Sequence, residues 1–217
     1  MRHNPVKFPQ ASLIENAKER YYTDGTRKYI SVTQLLKSHF PKPFLDEWKE
    51  RVGEEEASFV SAVSTTRGKL MHKAIEEYID YYDIVPESLL KMPFNRELFF
   101  KFKKRIDSHL TEVNGIEQPL ISPKWNIGGT ADLIGHWNDI GSIIDHKTSK
   151  YDKEISEIED YFVQKTIYSL IVEETTGLCY KQLVSLIGVD HSNEAQVHIQ
   201  HRDQYERKAL EILSAER

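Results

Sequence analysis

Two aspartates and a lysine near the middle of the chain carry the clearest chemical signal. Asp132 lies in GGTADLIG, and Asp145 and Lys147 lie in IIDHKTSK. The stretch 128–150 reads as two short strands joined by a tight turn. Side chains alternate between faces along a strand, so Asp145 and Lys147 share one face and His146 takes the other. Two carboxylates and an ammonium at a sheet edge suit a divalent metal and the water it activates, hence phosphodiester hydrolysis. Ile143 and Ile144 make the run before Asp145 read as buried, where a carboxylate is costly without a metal or partner. The plainer alternatives are a polar strand end at Asp132 and a simple Asp145–Lys147 ion pair. Gly128 and Gly129 permit close approach of another chain or a ligand.

Lys147 suits three roles: orienting the attacking water, lowering its pKa, or stabilising charge in the transition state. Thr148 and Ser149 add hydroxyl and amide donors suited to a phosphate. Gln164 and Tyr168, four residues apart, share one helical face, where the amide can hold the lysine or its water. His72, in RGKLMHKAIEEY, falls just outside the apolar arc of Leu70, Met71, Ala74, Ile75, Tyr78 and Ile79. It is either a boundary histidine or a ligand overhanging a cleft, and a histidine ligand favours Mn²⁺ over Mg²⁺. Glu117, in GIEQPLIS, is either a further oxygen ligand or an exposed strand residue. Lys91, Arg96, Lys101, Lys103, Lys104 and Arg105, opposed only by Glu97, form either a solvated helix face or a phosphate-tracking strip.

The elements that must position these groups follow from periodicity and turn signals. Helices are expected at Val32–His39, at 45–64 with an interruption at Gly53, and at 66–82, 94–113, 154–175 and 203–214. Strands are expected at 116–122, 126–137, 141–148 and 182–189, with an edge strand at 195–200. Thr23-Asp24-Gly25 marks a turn, Pro41-Lys42-Pro43 a break, and Gly177 a helix stop. The order describes one α/β domain over 1–217, a mixed β-sheet flanked by helices. Residues 1–113 read as a mainly helical arch or lid, and 114–217 as the sheet-containing catalytic core.

Composition narrows the setting. Cys179 is the sole cysteine of 217 residues, which excludes an internal disulfide, a four-cysteine zinc site and a Cys-ligated iron–sulfur cluster. That points to a reducing, intracellular environment. No apolar run approaches the roughly 20 residues of a membrane span, and MRHNPVKFPQ has no apolar leader, so neither membrane nor secretion is expected. A net charge of −5 does not advertise a nucleic-acid binder. Bound metals would neutralise part of it, and local distribution matters more than the total.

In order, RGKLMH, IEQPLIS, GGTADLIG, IIDHKTSK and QKTIY resemble the RecB-like branch of the PD-(D/E)xK nuclease superfamily. The flavour is that of the mitochondrial genome maintenance exonuclease group and its phage and bacterial relatives. YISVTQLL, LDEWKERVGEEEA and IEEY extend the likeness over about residues 29–190. The resemblance implies a restriction-endonuclease-like sheet with His72, Asp132 and Asp145 holding one or two Mg²⁺ or Mn²⁺ ions and Glu117 as an upstream acid. It makes Lys147 the catalytic lysine, Gln164 and Tyr168 its supporting pair, and Arg67-Gly68 the start of the histidine helix. The implied activity is a DNA exonuclease preferring single-stranded ends, with duplex ends and replication or recombination proteins as further partners. Arg67, Thr148, Ser149, Lys101 and Lys104 are the expected DNA contacts, and Tyr21, Tyr22, Phe44 and Trp48 the expected stacking platforms. Ala131 stands where the superfamily's name has proline, and His146 where relatives often carry an aromatic residue. Rivals are a structure-selective endonuclease on the same fold and a non-catalytic DNA-binding module. The expected compartment is the cytoplasm of a bacterium or phage-infected cell rather than the mitochondrial matrix.

Overall fold

Strands open the chain in the computed structural model, which describes residues 1–16, 19–81 and 91–215. β1 (Arg2–His3), β2 (Ser12–Glu15), β3 (Arg20–Thr23) and β4 (Lys28–Ser31) precede α1 (Val32–His39), α2 (Pro43–Val52) and α3 (Glu54–Tyr81). Next come α4 (Pro93–His109), β5 (Leu110–Ser122), β6 (Ile127–Trp137), β7 (Ile140–Ser149), α5 (Glu159–Thr176), β8 (Gln182–Val189), β9 (Gln196–His201) and α6 (Glu206–Ala215).

The strands of the second half fall where their alternation places them, and Gly177 ends α5 in a left-handed conformation. Three expectations are corrected. Among the described residues, the first 31 positions hold no helix and supply four strands of two to four residues, too short for periodicity to register. The expected turn at Thr23-Asp24-Gly25 is the hairpin joining β3 to β4, where Asp24 Oδ1 accepts from the Thr26 and Arg27 amides at 2.8 Å each. The interruption expected at Gly53 is present (φ 88°), but the break expected between 64 and 66 is not: α3 runs unbroken from Glu54 to Tyr81. Residue 82 lies outside the described residues. The helix expected to reach 113 stops at His109, because Leu110 already pairs with Trp137 in the sheet.

The sheet is mixed and nine-stranded, with helices on both faces. β6 is its hub. One edge of β6 pairs antiparallel with β5 along its whole length. The other edge is shared: β4 runs parallel at Ile127 and Gly128, and β7 antiparallel from Leu133 to Trp137. Between these two ladders the strand edge at 129–132 forks open. β7 continues past the fork beside β8, which pairs in turn with β9.

Apolar residues pack on both faces. Leu35 of α1, Phe162, Val163 and Ile167 of α5 and Leu213 of α6 meet Ala131, Ile134 and Ile143 on one face. Met71 and Ile75 of α3 and Phe99 and Phe102 of α4 meet Leu133 and Ile144 on the other. In α2 no residue is buried, and the first half of α3 leaves Phe59 and Val63 in solvent, so this helical pair projects from the body. Among the described residues, no helix is long and apolar enough to cross a membrane.

The two glycines ahead of Asp132 serve the protein's own packing. A Cβ on Gly128 would stand 2.6 Å from Tyr22 Cβ, and one on Gly129 would stand 2.4 Å from Tyr168 Cε1. The ring of Tyr168 thus lies directly on the β6 backbone at the fork. Gly129→Ala should therefore cost about 2 kcal/mol by overpacking, read as a lowered urea midpoint. An unchanged midpoint would show that Tyr168 is not held there.

Candidate active site

Sheet register gathers the acidic residues before any side-chain detail is considered. Ile116↔Leu133 and Gln118↔Ala131 bracket Glu117 opposite Asp132, and one step beyond Leu133↔Ile144 puts Asp132 opposite Asp145. Three carboxylates therefore lie in one row across β5, β6 and β7. Glu117 adopts a left-handed backbone (φ 42°), which a residue of its type takes only under constraint. α3 runs above, and His72 reaches down from the edge of its apolar face.

His72 Nδ1 lies 3.4 Å from Glu117 Oε1 and 3.6 Å from Asp132 Oδ2. One ligand atom from each of these three residues falls within 4.8 Å of the others, a spacing compatible with a shared cation. Where β7 parts from β6, the His146 amide donates to Asp132 Oδ2 at 2.8 Å. Asp145 stands alongside, 5% exposed, with Oδ1 accepting from Lys147 Nζ at 2.5 Å. Its Oδ2 is buried without a hydrogen-bond partner. Gln164 Nε2 donates to the Tyr168 hydroxyl at 3.0 Å, so the pair expected on one helical face does meet. The Tyr161 ring, from the same helix, lies 5.5 Å from Lys147 Nζ.

Electrostatics follow from this crowding. Burial and the Asp145 charge push Asp132 above the usual carboxylate range. Burial also opposes the Asp145 carboxylate, but Lys147 and Lys165 outweigh it and hold Asp145 low. Burial opposes the Lys147 ammonium, yet Asp145 and Asp132 raise it above the ordinary lysine range, so it stays charged at neutral pH. Burial likewise works against charge on His72, where Asp132 and Glu117 prevail and raise it to about 9. His146 is buried against Phe102, turned from Lys147 as strand alternation requires, and burial drops it to about 3.

The expected DNA contacts fare less uniformly. Thr148 and Ser149 continue β7 beyond the fork, half-buried, and Ser149 Oγ donates to the Tyr151 carbonyl at 2.6 Å. Arg67 is instead committed to Asp190 at 3.0 Å and rests over the Phe94 ring. Lys101 is buried, donating to the carbonyls of Val189 and Asp190 at 3.0 and 3.1 Å, so it is a brace and not a surface contact. Lys104 and Arg105 both pair with Glu194, so the basic strip is largely spent on the protein's own carboxylates. Tyr22 is core, its hydroxyl 2.9 Å from Thr130 Oγ1, and Tyr21 lies beneath Lys28. Phe44 is exposed on α2 and Trp48 half-buried.

Lys165 is the charged neighbour that sequence reading missed. It is completely buried on α5, next to Gln164, inside a helix that reads as apolar. Two openings reach the site. A cleft of about 490 Å³ exposes His72 and Glu117 beside Lys69 and Lys73. A groove of about 550 Å³ runs past Lys42, Tyr161 and Gln164 between α1, α2 and α5.

No family model matches the chain, and no curated protein matches it. Among solved structures, the crystal structure of SSO0001 is similar at 19% identity and a TM-score of 0.45, covering 86% of this chain and 73% of that one.

A ligating imidazole must be neutral, whereas His72, raised to about 9, carries a proton at pH 7. Metal binding should therefore expel that proton, and affinity should climb with pH through the neutral range. Calorimetric titration with Mn²⁺ at pH 7, in buffers of different ionisation enthalpy, should report roughly one proton released per ion. A release of zero would remove His72 from the ligand set.

Proposed function

We propose that this chain is a Mg²⁺- or Mn²⁺-dependent DNA exonuclease that prefers single-stranded ends. The observation that carries the reading is the row of Glu117, Asp132 and Asp145 under His72, with Lys147 seated on Asp145 at the sheet fork. The RecB-like motif order supports the same assignment, because each quoted motif contributes a member of this one cluster.

The donor set fits a hard divalent ion. It offers carboxylate oxygens and one imidazole, and Asp145 Oδ2 is a buried acceptor whose hydrogen-bonding capacity is unspent. His72, Glu117, Asp132 and Asp145 would hold the metal. A bound ion supplies Lewis acidity, acidifying a water and polarising a phosphoryl oxygen. The protein's own groups do the rest. Lys147, fixed as an ammonium, stabilises negative charge on the phosphate and orients the nucleophile, and its raised pKa argues against a role as base. The Gln164–Tyr168 pair steadies the lysine side of the cleft. Tyr161 and Lys42 line a groove whose aromatic and cationic surface suits an unpaired strand. The projecting α2–α3 pair, with exposed Phe44 and Phe59, would cover such a strand. Replication or recombination in the cytoplasm of a bacterium or phage-infected cell is the setting this activity fits.

End-labelled single- and double-stranded DNA, incubated with Mg²⁺, Mn²⁺ or EDTA, tests the proposal. Mn²⁺ or Mg²⁺ should support degradation from single-stranded ends, and EDTA should stop it. Lys147→Ala and Asp145→Ala should each lose about 100-fold or more in rate. Equal degradation by wild type and Lys147→Ala would assign the activity elsewhere. A closed circular single strand should stay intact; its cleavage would favour an endonuclease on the same fold.

A further inference from the structure

The polar row does not stop at Asp145. Ser185 of β8 pairs beside Asp145, and His198 of β9 beside Ser185, so polar residues continue across the sheet beneath α5. Over this stretch α5 buries Phe162, Val163, Ile167 and Ile171, and among them stands Lys165, with 0% exposure. Its Nζ donates to Ser185 Oγ at 2.6 Å and lies 4.6 Å from the Phe162 ring. The hydrogen-bond partner is thus a neutral hydroxyl, not a carboxylate. A buried ammonium held this way needs compensation from charges farther off. Asp145, the register partner of Ser185, supplies most of it: Asp145 and Lys165 favour each other's charged forms, and Asp132 and Asp160 add to the pull on the ammonium.

We propose that Lys165 is a built-in counter-cation of the site, which balances its buried carboxylates and limits them to one divalent ion. The proposal rests on the metal-site reading above but not on DNA being the substrate. Charge accounting supports it. With His72 neutral, the carboxylates of Glu117, Asp132 and Asp145 face the ammonium groups of Lys147 and Lys165, which leaves a single negative charge. One divalent ion turns that into a single positive charge. A second ion would leave a strong excess of positive charge in a largely buried place, where such an excess is most costly. Burial lowers Lys165 to about 8, so it is still mostly charged at neutral pH. It touches neither solvent nor any groove, so it positions and balances Asp145 and makes no contact with a substrate.

Calorimetric titration of the full chain with Mn²⁺ alone reads this out without any nuclease assay. Wild type should bind one Mn²⁺. Lys165→Met, close in shape but uncharged, should bind Mn²⁺ on the order of tenfold more tightly, because a repelling charge has gone. Lys165→Arg keeps the charge and should bind as wild type does. Ser185→Ala leaves the ammonium in place and should likewise change little. If Lys165→Met does not fold, Lys165→Gln takes its place with the same expectation. Two ions bound by wild type, or unchanged or weaker binding by the uncharged variant, would overturn the proposal. A wild type that binds one Mn²⁺ and leaves DNA intact contradicts the nuclease reading alone. One that binds no Mn²⁺ overturns the metal site, and the counter-cation with it.

Discussion

The hydrogen bond from the His146 amide to Asp132 Oδ2 marks the constraint on which the site depends. Up to Leu133 and Ile144, β6 and β7 form an ordinary antiparallel ladder; one step later they separate. Separation leaves strand amides without ladder partners, and a buried amide must find an acceptor. Asp132 provides it from the neighbouring strand. The same step sets Asp132 opposite Asp145, on strands that are still close but no longer closed over them. A cleft floored by two carboxylates is the direct result, and the packing of Tyr168 on Gly129 keeps its other margin in place.

Charge at this density is stable only if the protein supplies counter-charges and dry walls. Lys147 takes one oxygen of Asp145, and Lys165, seated on Ser185 in the adjoining strand, adds a second positive charge that favours the same carboxylate. His72 bridges Glu117 and Asp132 from above. Elsewhere the molecule spends its basic residues on itself: Arg67 and Lys101 clamp the end of β8, and Lys104 and Arg105 hold Glu194. A net charge of −5 and a polyanion-binding role are compatible on these terms, since cationic surface is needed only along the cleft and groove.

The hairpin core was legible in sequence because its signals are local. Alternation located β6, β7 and β8, and motif spacing located Asp132, Asp145, Lys147 and the Gln164–Tyr168 pair. The opening strands were not legible, since β1 has two residues and β2 to β4 have four each, with no room for a pattern. The role of the basic cluster stays open in sequence for a different reason. A lysine's partner decides its role, and Glu194 and Asp190 lie some 90 residues beyond Lys101 and Lys104. Sequence alone allows two readings of Glu117, because its side-chain direction depends on a positive φ that no residue type announces. Lys165 was invisible beside Gln164, as only the tertiary fold shows that its helix is buried on that side too. The likeness of the whole motif series to RecB-like nucleases stands as a proposal, with the geometry as its support.

The central proposal is that His72, Glu117 and Asp132, whose ligand atoms come within 4.8 Å of one another, bind a cation with Asp145 beside them. Anomalous scattering from crystals soaked in Mn²⁺ tests it most directly. The account predicts one strong anomalous peak bounded by those four side chains, at ligand distances of about 2.0–2.3 Å. Crystals saturated with Mn²⁺ that show no peak there, with the ion bound on other carboxylates instead, would contradict it.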